Sequence, residues 1–196
     1  MRRESACGCA RIATPNAVAQ EWKLIERRIT RETKMSQISL NIQGQDVHLT
    51  TGEHGALVKA VVEEFGPHFA PNAEVIYINA DGSGTVYWSR NAPQWFALDP
   101  ASHDKLPDIA LYSEDRCQLF LIDTAANRGP INARRHADLE GIFSQAPAEL
   151  VYFTAFSSRN SAVDQLGEVA WETRVWFADE PTHYIYFNGD LLPTPY

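Results

Sequence analysis

No apolar run in this chain of 196 residues approaches the ~20 residues that a membrane-spanning helix needs, so no such helix is expected. The first residues are polar and arginine-rich, without the apolar core of a secretion signal. The expected location is therefore the cytoplasm of the source cell. Cysteine is scarce: three residues cannot all pair with one another, and Cys7 and Cys9 lie too close together for an easy bridge. A structural zinc site needs four ligands, and beyond Cys7-Gly8-Cys9 the only further thiol is Cys117, so reduced, incidental thiols are expected. Gly and Pro, at 11 each, give no sign of a fibrous or wholly disordered protein. Basic charge is short in the main part of the chain. Residues 35–196 carry nine basic and 21 acidic side chains, a net of −12, whereas residues 1–34 carry a net of +4. An acidic balance of this size argues against tight, independent DNA binding by the main part.

What is present suffices for one good core. A hydrophobic content of 44% over this length fits one domain plus appendages, and there is no internal repeat or low-complexity tract. Residues 1–34 end in a charged, helix-like stretch, Glu21–Arg28, and read as a tail or upstream extension. Met35 opens the patterned part and could be a natural start. The main domain is expected over 35–196.

Ser39–Gln43 and Val47–Thr50 alternate polar and apolar around Gly44, the pattern of a small β-ribbon. Thr50 and Glu53 have the spacing of a capping box. Leu57, Val58, Val61, Val62 and Phe65 follow at helical intervals, and Gly66-Pro67 should stop that helix. Strands are expected at 74–79, 85–88, 108–112, 117–123, 150–154, 174–178 and 183–187, with helices after Asn132 and near 160–171. Residues 91–104 read as a loop. Helix, strand, hairpin arm, two strands, helix and strand in that order predict an α/β sandwich with a mixed sheet.

Two acids stand out. Lys105-Leu106-Pro107-Asp108 opens one apolar strand, and Leu119-Phe120-Leu121-Ile122-Asp123 ends its neighbour. Carboxylates at adjacent strand ends can share a hard divalent cation, which prefers oxygen ligands, and metal-assisted phosphodiester hydrolysis needs that arrangement. Pro-Asp by itself is also a common turn dipeptide.

These residues belong to an ordered series. Gly52-Glu53-His54, Glu63-Glu64-Phe65, Phe69-Ala70-Pro71, His103–Asp108, Leu119–Asp123, Gly129-Pro130-Ile131, Val151–Phe156, Ala170–Thr173, Trp176–Pro181 and Phe187–Asp190 together resemble the BsuBI/PstI-type restriction endonucleases, over roughly residues 52–190. The resemblance implies the PD-(D/E)XK nuclease fold, Mg²⁺-dependent cleavage of double-stranded DNA, and a homodimer acting on a palindromic site. It also implies a DNA-recognition domain ahead of the nuclease domain. The 34 residues before Met35 fall below the ~40 at which a small domain folds without staples. That domain is thus expected to be missing, truncated away or supplied by another chain.

The resemblance makes Asp108 the metal ligand of the Pro-Asp motif and Asp123 the second acidic ligand, where many relatives carry Glu. The lysine expected two residues later is absent, position 125 being Ala, and the family pattern at this point also lacks it. Arg134 and Arg135 could return a cation to the site or lie on a solvated helix face; Lys105 is a further candidate. Arginine stays protonated and is a poor general base, but its fork can hold a phosphate, so Arg128, Arg134 and Arg135 are the candidate DNA contacts. Glu64 shares a helical stripe with Leu57 and Val61, and is either a third metal ligand or a charge at the edge of an amphipathic face. Glu53 is explained by its cap. Trp95, Trp171 and Trp176 are read as core aromatics before base-stacking platforms. Two rivals to a cutting enzyme remain. One is a non-catalytic relative that binds DNA or a protein partner, a role that the acidic surface suits. The other is a nuclease subunit tethered by a separate recognition protein.

Overall fold

The computed structural model describes residues 37–80, 84–96 and 105–189. Cys7, Cys9, the charged stretch 21–28 and His103 lie outside the described residues. The alternating segment forms a two-stranded ribbon of β1 (Gln37–Ile42) and β2 (Gln45–Thr50). Its turn places Gln43 and Gly44 at φ 51° and 82°, as a tight hairpin loop requires. Leu40, Ile42, Val47 and Leu49 share one face of the ribbon and bury it in the core.

Helix α1 (Glu53–Ala60) follows, and its start differs from the sequence expectation. The N-cap is Gly52, with no side-chain cap. Thr50 is still the last residue of β2, and the Glu53 carboxylate accepts from the Ser157 hydroxyl at 2.8 Å. The end differs too. The helix passes through a π-helical turn, Val61–Phe65, into α2 (Gly66–Phe69). Wider i→i+5 bonding re-phases the backbone ladder, and Pro67 then sits in a first turn, where its missing N–H is tolerated.

Seven strands build one sheet: β3 (Glu74–Ala80), β4 (Gly84–Trp88), β5 (Ile109–Ser113), β6 (Gln118–Thr124), β7 (Glu149–Phe156), β8 (Thr173–Phe177) and β9 (Tyr184–Phe187), in the order β4-β3-β5-β6-β7-β8-β9. β6, β7 and β8 run parallel and the other neighbours antiparallel. Between β6 and β7 lie a one-turn α3 (Ala125–Arg128) and α4 (Ala133–Phe143). The expected mixed α/β sandwich is what forms. The helix expected near 160–171 is only α5 (Arg159–Ala162) and a 3-10 turn at Leu166–Glu168. Ala162, Leu166 and Val169 still pack against Phe156, Val175 and Phe177, while Val163 between them is 64% exposed.

Alternation along the strands sorts the core onto two faces. Phe120 and Ile122 of β6 pack with Val58, Val61, Phe65, Phe153 and Trp176 on the α1 side. Leu119 and Leu121 pack with Leu139, Phe143 and Tyr152 on the α4 side. Continued by two residues, that period turns Asp123 toward α4 and Thr124 toward α1. This register builds the site.

Candidate active site

Asp108 precedes β5 and Asp123 sits one residue from the end of β6, on strands paired antiparallel through Ile109 and Ile122. Both side chains are buried, at 0% and 1% exposure. The Asp108 backbone N–H donates to Asp123 Oδ1 at 3.2 Å, so the two acids are adjacent in space as the sequence predicted.

A buried charge persists only with partners, and each acid has an arginine. Arg135 donates from Nε to Asp123 Oδ2 at 2.6 Å and from Nη2 to Oδ1 at 3.0 Å, a bidentate pair. The same guanidinium donates to the carbonyls of Lys105 at 2.7 Å and Leu106 at 2.9 Å, tying down the segment that presents Pro107-Asp108. Asn132 fixes this arginine in turn, because its side chain caps α4 by accepting the Arg135 backbone N–H at 3.0 Å. Asp108 Oδ1 accepts from Asn127 Nδ2 at 2.8 Å and from Arg128 Nε at 3.1 Å. Its Oδ2 accepts the Thr124 backbone N–H at 2.9 Å and the Thr124 hydroxyl at 2.8 Å. Burial pushes the Asp123 carboxyl above its ordinary value, against the downward pull of the Arg135 hydrogen bonds and charge.

The other predicted residues divide. Arg135 enters the acid pair from α4, whereas Arg134 is exposed one residue earlier. Arg128, read as a DNA contact, is held against Asp108 with its side chain 25% exposed. Lys105 is exposed, and its backbone carbonyl accepts from Arg135 Nη1. Glu64 is not brought to the pair: it is exposed in the π-helical turn, ten residues or ~15 Å along the helix from His54 at 1.5 Å per residue. Among the described residues no three His, Cys, Asp or Glu side chains converge as a metal cluster. Trp176 is fully buried, while Trp171 is 67% exposed.

Sequence reading gave no role to Thr124, Asn127 or His54. His54, on the first turn of α1 and 6% exposed, sets Nδ1 2.7 Å from the Thr124 hydroxyl oxygen and 3.8 Å from Asp108 Oδ2. The available signal was Gly52-Glu53-His54-Gly55, two glycines bracketing a helix start.

A mixed sheet carrying two buried acids at the ends of neighbouring central strands, flanked by a helix on each face, defines a restriction-endonuclease-like α/β protein. The comparisons specify it further. Residues 37–190 match the family model described as the BsuBI/PstI restriction endonuclease domain, and the chain belongs to that family. It is 35% identical over 174 residues to the type II restriction enzyme BsuBI of Bacillus subtilis, covering 88% of this chain and 55% of the relative. It is 27% identical over 184 residues to the type II restriction enzyme AplI of Arthrospira platensis, covering 89% and 56%. The solved structure of SdaI restriction endonuclease superposes with a TM-score of 0.72 at 33% identity, over 87% of this chain and 54% of that one. The chain thus spans about half the length of the curated relatives it matches.

Proposed function

We propose that residues 35–196 form the nuclease domain of a type II restriction endonuclease, hydrolysing phosphodiesters of double-stranded DNA with Mg²⁺. The observation that carries this reading is the juxtaposition of Asp108 and Asp123 at the ends of β5 and β6. Their oxygens are the hard donors that suit Mg²⁺. A divalent cation held by Asp108 and Asp123 would supply charge neutralisation at the scissile phosphate.

The chain's own groups do the rest. Arg135 holds Asp123 and the Lys105–Leu106 carbonyls in one rigid unit, so the second acid keeps its orientation without a lysine at position 125. Arg128 is the partly exposed guanidinium beside Asp108, and its fork suits the phosphate next to the cleaved bond. Arg134 and Lys105, exposed nearby in sequence, suit flanking phosphates. A palindromic site read by a homodimer and a recognition module outside these residues complete the proposal.

A second reading has its own observation. Every oxygen of the two carboxylates already accepts hydrogen bonds from the protein, as in a relative that keeps the fold and binds DNA or a protein partner without cutting. One experiment separates the two: incubation of unmethylated, mixed-sequence double-stranded DNA with Mg²⁺ and then Mn²⁺ at low salt. Cutting by wild type that Asp108→Asn and Asp123→Asn both abolish, with folding confirmed by circular dichroism, supports the nuclease. Folded wild type that cuts with neither metal supports the binding role or a nuclease that waits for its recognition partner.

A further inference from the structure

The imidazole of His54 reaches the acid pair from the α1 side, opposite the arginine that reaches it from α4. The hydrogen-bond directions along this path are fixed by counting protons. The Thr124 hydroxyl has one hydrogen, and it goes to Asp108 Oδ2 at 2.8 Å. The hydroxyl can then only accept from the ring nitrogen 2.7 Å away, so Nδ1 carries a hydrogen and donates. The path therefore reads His54 Nδ1–H to Thr124 Oγ1–H to Asp108 Oδ2, each donor pointing toward the carboxylate.

The local backbone is shaped to hold that ring. Gly52 turns the chain from β2 into α1 at φ 149°, a conformation open to glycine. Gly55 lies so close to the end of β2 that an added Cβ would stand 2.1 Å from the Thr50 carbonyl oxygen. Two glycines thus press the first turn of α1 against the ribbon and set the intervening His54 over the end of β6.

We propose that His54 is a positioning residue of the phosphodiesterase site: acting through the Thr124 hydroxyl, it fixes the orientation of Asp108. This rests on the nuclease reading above. Loss of such an outer partner costs about 10–100-fold where a ligand's orientation matters.

The test uses the full chain, with kcat, KM for DNA and Mn²⁺ affinity by calorimetry as readouts. His54→Ala is expected to lower kcat about tenfold or more and to weaken Mn²⁺ binding, leaving KM for DNA within about threefold. His54→Asn, whose amide N–H can occupy the place of Nδ1–H, is expected to restore most of both. Thr124→Val is expected to match His54→Ala, and the double variant to be no worse than Thr124→Val, because both break one path. Thr124→Ser keeps the hydroxyl and much of the rate. Wild-type rates in His54→Ala overturn the proposal, as do a His54→Asn as slow as His54→Ala and a double variant with additive losses. The failures are distinguishable. If wild type does not cut and Asp108→Asn changes nothing, the nuclease reading is what fails. In that event, nitrogen-coupled NMR of folded wild type still decides the geometry: an Nδ1–H tautomer retains the relay, and an Nε2–H tautomer removes it.

Discussion

Asp123 and Arg135 show what full burial demands of a charge. The carboxylate is 1% exposed and its guanidinium partner 15%, so neither can fall back on water if the other is removed. Breaking such a pair from one side leaves an uncompensated charge and costs about 3–5 kcal/mol, whereas replacing both partners by apolar groups of similar volume is often close to neutral. Arg135→Ala should therefore lower the urea midpoint sharply. Arg135→Met combined with Asp123→Leu should recover most of the loss while remaining inactive. Equal destabilisation by the single and double variants would show that Arg135 matters through its packing and its bonds to the Lys105 and Leu106 carbonyls, and not through the ion pair. The Arg134→Ala variant next door, at an exposed position, should change the unfolding free energy by no more than ~0.5 kcal/mol.

At the scale of elements, glycine content distinguishes two helices. In α1 the Thr50 carbonyl blocks any side chain at position 55. Gly55→Ala must shift the helix or the ribbon, and overpacking of this kind costs about 1–3 kcal/mol. A midpoint drop of several degrees on thermal melting is the expected outcome, with loss of activity through displaced His54. In α4, Gly141 is exposed and an added Cβ would meet nothing within 4 Å. Gly141→Ala should stabilise by about 0.4–1 kcal/mol, because the unfolded chain loses freedom. Opposite signs in the two helices would establish that close approach, and not helix propensity, fixes Gly55.

For the molecule as a whole, the sheet separates two cores, and Tyr152 reports on the one beneath α4. Its hydroxyl is pushed up to about 12, by burial first and by Glu140 second. The unfolded chain gives up that proton near the ordinary value of 10.0, so the folded state holds it over a higher range. Stability is complete below the unfolded value and falls as pH rises toward about 12. Urea midpoints on either side of that interval should show the loss in wild type and a smaller one in Tyr152→Phe.

Much of this was legible in the chain. Period-two alternation located β1 and β2, apolar runs located β5, β6 and β7, and Asn132 announced the cap of α4. Pro107-Asp108 and Asp123 declared themselves by standing at the ends of apolar strands, because local pattern reports which residues leave a core. Pattern could not report what meets them there. That Arg135 and not Arg134 turns inward depends on helix phase relative to the sheet. That Glu64 lies far from the acids depends on which end of α1 faces β6. The Thr50 capping box yielded to Gly52 because the chain had to turn sharply under the ribbon, and Gly66-Pro67 did not stop the helix because a π-helical turn preceded it. His54 and Thr124, 70 residues apart in sequence, meet only once β6 has paired and α1 has docked. Sequence alone determined the strands, the sheet type and the two acids, through local periodicity and burial preference; tertiary structure decided their partners, because hydrogen bonds between distant segments are chosen by packing.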